Sequence, residues 1–128
     1  MESVILIARR SYNLNFAEKI PSEFKLLEAV RDCTAITDGD TRIYIYPNDS
    51  IRDELVREEL DRITSRISDP VFYTVDFSDI SFCRTLLLNI ADDLELLVDN
   101  DHGRLLPGPE FVQILRNNPM WDWRRDKV

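Results

Sequence analysis

Val71-Phe72-Tyr73-Thr74-Val75-Asp76-Phe77, then Ser78-Asp79, then a helical stretch to about Asp92 and finally Leu94-Glu95-Leu96-Leu97-Val98 is the run that decides the fold. Its first segment is rich in β-branched and aromatic residues and has the length of a strand. Ser78-Asp79 offers side chains that accept the free amides of a helix start. Cys83, Leu86, Leu87 and Ile90 then recur at helical spacing. Leu94 to Val98 returns as an apolar strand. A strand, a helix and a strand in this order predict a crossover between parallel neighbours.

Working outward, Val4 to Ala8 is an unbroken apolar run that predicts a buried central strand. Pro21-Ser22-Glu23 looks like a helix start, continued by Phe24, Leu27 and Val30 at helical spacing. Thr37-Asp38-Gly39-Asp40 is a turn, and Arg42 to Tyr46 alternates like a strand. Pro47-Asn48-Asp49-Ser50 ends that strand, with Asp49 or Ser50 as a cap for the next helix. Ile51, Leu55, Leu60, Ile63 and Ile67 mark one face of it, and Ser68-Asp69-Pro70 breaks it. Leu105 to Pro109 leads into a last helix with Phe111, Ile114 and Leu115 on one side, stopped at Asn117-Asn118-Pro119. The expectation is an α/β (or α+β) fold. It has a single four-stranded mixed or parallel sheet with flanking helices, in one domain over residues 1–128.

Charge is the strongest functional signal. The chain has 128 residues, with 24 Asp and Glu against 16 Lys and Arg, a formal net charge of −8. Two blocks hold the excess. Asp49 to Asp61 contains six acids and two bases, and Asp92 to Asp101 contains five acids and no base. Concentrated negative charge repels nucleic acid and anionic membranes and speeds the capture of basic partners. Apolar residues reach 44%, enough for a core and too many for a disordered chain. No apolar run approaches the roughly 20 residues of a membrane span. The start carries Glu2 where a signal peptide needs a base, so the chain reads as cytoplasmic. Cys33 and Cys83 form no CxxC pair and read as free thiols.

Each catalytic pattern is incomplete. Asp99-x-Asp101 after a strand resembles the aspartate pair of haloacid-dehalogenase-type phosphatases, but no acidic pair downstream of Asp101 completes a magnesium site. A calcium loop counted from Asp99 has Arg104 where Gly is needed. His102 is the only histidine, which suits a surface loop better than a zinc site or a serine triad. A metal-dependent hydrolase using Asp76, Asp99 and Asp101 is the alternative from another class. Trp121 and Trp123 read either as lids on the core or as binding anchors.

The C-terminal half, Val71 to Trp123, resembles small bacterial immunity proteins encoded beside secreted polymorphic toxins. The similarity is carried by the segment around Asp76 and Cys83, by Leu96-Leu97-Val98-Asp99-Asn100-Asp101-His102-Gly103, by Pro107-Gly108-Pro109-Glu110-Phe111 and by Trp121-Asp122-Trp123. The resemblance implies an acidic, cytoplasmic, non-enzymatic binder of a cognate toxin C-terminal domain, often a basic nuclease. No metal or cofactor is expected, and neither nucleic acid nor membrane is expected as a partner. The expected binding residues are Asp76, Asp79, Asp99 and Asp101 at one edge of the sheet, with Trp121 and Trp123.

Overall fold

The computed structural model describes residues 1–12, 16–27 and 32–126. A single sheet of seven strands runs through it in the order β2-β3-β4-β5-β1-β6-β7. The strands are β1 (Glu2–Arg9), β2 (Lys25–Leu26), β3 (Thr34–Thr37), β4 (Arg42–Pro47), β5 (Pro70–Phe77), β6 (Leu96–Asp99) and β7 (Leu105–Pro107). The helices are α1 (Phe16–Lys19), α2 (Ser50–Glu54), α3 (Arg57–Thr64), α4 (Ile80–Ile90) and α5 (Gly108–Asn117).

Every strand pair is antiparallel. The expected four-stranded mixed or parallel sheet is therefore corrected to a seven-stranded antiparallel one, and the class is α+β. The reason is the place of β1. It inserts between β5 and β6, with Ser3 opposite Asp76 and Ile5 opposite Asp99. The two strands joined by α4 do run parallel, but they are not neighbours. The other three strands lie where turns and a helix were expected. The segment after Pro21 closes a turn, Phe24 N–H donating to the Pro21 carbonyl at 3.0 Å, and Lys25–Leu26 then pairs with β3. The helix expected there through Phe24 and Leu27 is not formed, and its last expected member, Val30, lies outside the described residues.

Residues paired across antiparallel strands project from the same face. Val4, Leu6, Val75, Phe77, Val98, Ile43 and Ile45 face one layer, which holds α1, α4, α5 and the C-terminal tail. Ile5, Ile7, Phe72 and Leu97 face the other, where Ile51, Ile63 and Ile67 from α2, α3 and the turn after them pack. The apolar alternation of β1 thus serves two cores, which is why Val4 to Ala8 has no polar member. The expected helix over Ile51–Ile67 is broken, since Leu55 and Val56 are extended (ψ 139° and 155°) and split it into α2 and α3. Among the described residues, no helix is long and apolar enough to cross a membrane.

Candidate functional site

Helices α2 and α3 meet the β6–β7 end of the sheet around a cleft of about 410 Å³. Ile5, Ile51, Ile63 and Leu105 form its apolar floor, and Glu54, Glu59, Asp99 and Asp101 supply its acids, with Arg62 and Arg104 beside them. The two acidic blocks of the sequence are far apart along the chain, and here they converge. Glu54 and Glu59 come from the first block, Asp99 and Asp101 from the second.

The rest of the second block is neutralised by distant bases. Asp92 pairs with Arg116 at 3.3 Å and Glu95 with Arg9 at 3.0 Å. Asp93 accepts from Lys19 at 2.9 Å, from the Tyr12 hydroxyl and from the Glu95 amide at 2.9 Å. Burial opposes the Asp93 charge, but these donors hold its carboxyl below the usual range. The two acids of this block that stand outside the ion pairs, Asp99 and Asp101, line the cleft.

Asp99 ends β6 on the α2–α3 face, opposite Ile5, and is half-buried. Burial raises its carboxyl above the usual carboxylate range, and the nearby charges of Asp101 and Glu59 add to this. The Asp101 amide, donating to Asp99 Oδ1 at 2.8 Å, and the Arg62 charge work in the opposite sense. Asp101 is exposed and sits at φ 63°, a left-handed conformation that a non-glycine residue holds only when its surroundings fix it. The fixing group is Asn100, which is 3% exposed. Its Oδ1 accepts the amides of His102 (2.9 Å) and Arg104 (3.0 Å), and its Nδ2 donates to the Trp123 carbonyl at 3.1 Å.

The remaining expected site residues are not in the cleft. Asp76 lies at the same sheet end and on the same face as Asp99, but β1 separates them. Its Oδ1 accepts from Ser3 Oγ at 2.6 Å and its Oδ2 from Tyr46 OH at 2.9 Å. Asp79 caps α4, accepting the amides of Ser81 (2.8 Å) and Phe82 (3.3 Å), and so leads to the opposite layer. Trp121 and Trp123 are 4% and 1% exposed, so the expected anchors are corrected to core residues. Their tail is coiled rather than extended, and both rings contact Phe111. Asp122 folds it by accepting from Nε and Nη2 of Arg124, one edge of the guanidinium, at 2.9 and 2.8 Å, which holds the carboxyl well below its ordinary range. Arg84 of α4 secures the coil by donating to the Leu115, Asn118 and Trp121 carbonyls.

The link from Asn100 to the tail and the links of Arg84 escape sequence reading because these partners lie 23 and 31 to 37 residues away. Glu54 and Glu59 were visible only as part of a charged helix face. Among the described residues, no three His, Cys, Asp or Glu side chains converge as ligands for a metal, and Asp76, Asp99 and Asp101 do not form such a set. No family model matches the chain, and no curated protein or solved structure matches it significantly.

Proposed function

We propose that this chain is a cytoplasmic immunity protein, a non-enzymatic binder that neutralises a cognate toxin domain with a basic surface, such as a nuclease. The observation that supports this best is that two acids from each block meet at one cleft, with the other acids of the second block already paired. Carboxylates so placed mimic the phosphates of a nucleic-acid substrate and pair with the toxin's Lys and Arg. Exposed members such as Asp101 raise the association rate, and half-buried Asp99 slows dissociation once a cation covers it. The hydrolase alternative would need a metal-ligating cluster, and the aspartates proposed for it do not converge.

The test uses the toxin domain that this reading requires in a neighbouring reading frame, with association measured against salt. Glu54→Gln, Glu59→Gln and Asp101→Asn combined should slow association by about tenfold or more at low salt, with the difference shrinking as salt rises. Unchanged association and unchanged protection of cells would remove the cleft from the interface. Turnover of nucleic acid or phosphate esters with magnesium, abolished by Asp99→Ala, would establish the hydrolase instead.

A further inference from the structure

We propose that Tyr44, Tyr46 and Asp76 form an arginine-recognition site on the open part of the sheet beside the cleft. The inference rests on the basic-partner reading and names the side chain that the partner presents: a guanidinium group.

Strand β4 alternates, so Ile43 and Ile45 point into the larger core and Tyr44 and Tyr46 point to the opposite face. Tyr44 stands directly opposite Asp76, and Tyr46 opposite Thr74. Ser3 of β1 flanks Asp76 on its other side. Side chains paired in this way lie about 5 Å apart at Cβ, close enough for one ligand to touch several of them. The α2–α3 layer packs over Ile5, Ile7, Phe72 and Leu97, and no residue of β4 joins that cluster. Both tyrosines stay half-buried at its margin.

Asp76 is oriented but not neutralised. Ser3 and Tyr46 each donate to one of its oxygens, and both are neutral donors. Among the described residues, no Lys, Arg or His pairs with it. Each carboxylate oxygen keeps a further lone pair. A guanidinium is planar, stacks on an aromatic ring and offers a fork of N–H donors to a carboxylate, and a lysine ammonium cannot do both at once. The site therefore selects Arg over Lys, which the cleft, a set of point charges, does not. It also supplies the aromatic contact that buried Trp121 and Trp123 cannot make.

The test titrates the full chain at low salt with two peptides of equal length and charge, one of alternating Gly and Arg, the other of alternating Gly and Lys. Calorimetry reads affinity, and the tyrosine ring resonances report the site. The Arg peptide should bind about fivefold more tightly. Tyr44→Leu and Asp76→Asn should each remove that preference, and Tyr44→Phe should keep it. Asp76→Asn is isosteric and decides the matter if Tyr44→Leu does not fold. Glu59→Gln with Asp101→Asn should weaken both peptides alike and leave the preference intact. Equal binding of the two peptides, or a preference that survives Asp76→Asn, would overturn the arginine site. The basic-partner reading fails separately, if the two cleft substitutions leave both affinities unchanged.

Discussion

Ionised Asp99 is disfavoured by its half-buried position and by Asp101 and Glu59. Its folded carboxyl titrates above the ordinary value of 3.8, so the charged form subtracts from stability at neutral pH. That penalty is relieved as pH falls through the raised value and is gone below 3.8. Asp99→Asn keeps an oxygen for the Asp101 amide and removes the charge. It should raise the thermal midpoint at pH 7, with the gain vanishing near about pH 3. A lower midpoint at pH 7 would mean that the charge supports the fold. Asn100 has the opposite sign. Asn100→Ala strands two loop amides and the Trp123 carbonyl, and should cost about 2–3 kcal/mol in denaturant unfolding. A loss within experimental error would show that water replaces all three bonds. The contrast explains what was legible at this scale. An aspartate before a helical run announces a cap, as Asp79 does, because its partners are two and three residues away. An asparagine in a loop announces only a turn.

The elements that were legible are the long ones. Strand β5 and helix α4 span eight and eleven residues, enough for periodicity to show, and both appear close to where their patterns put them. Strands β2, β3 and β7 span two, four and three residues and carry no apolar run of their own, whereas four-residue β6 overlaps the apolar stretch Leu94 to Val98. Antiparallel order could not be read either, because nothing in Val4 to Ala8 says which later strands will flank it. The break between α2 and α3 is equally silent, since Leu55 and Val56 both suit a helix. One element junction depends on a single atom that is absent. Gly108 opens α5 where the chain passes the end of α4, and a Cβ there would overlap the Ala91 carbonyl oxygen and lie 2.9 Å from that of Asp93. Both obstacles are backbone. Gly108→Ala should therefore destabilise by about 1–3 kcal/mol through overpacking, measured by thermal or urea unfolding. A neutral result would show that α5 can shift away from α4 without loss.

At the scale of the molecule, the charge surplus is less diffuse than a net value of −8 implies. Ion pairs from Arg9, Lys19 and Arg116 quench three acids of the second block, and the other two, Asp99 and Asp101, line the cleft with Glu54 and Glu59. The candidate site was thus legible as a sign and a region, with Asp99 and Asp101 named, and its shape was not. The topology has a further consequence, one of time rather than of space. Strand β1 is an interior strand of the sheet, yet both of its partners follow it by some sixty residues or more. Contacts so distant in sequence make folding slow, and refolding followed by tryptophan fluorescence should take roughly milliseconds to seconds rather than microseconds. During synthesis, at roughly 5–20 residues per second, Val4 to Ala8 waits some seconds before β5 emerges and longer for β6. Throughout that interval it is a sticky, unpaired strand on the ribosome. A cell that makes this protein in quantity has to shield its first strand until the second half of the chain arrives.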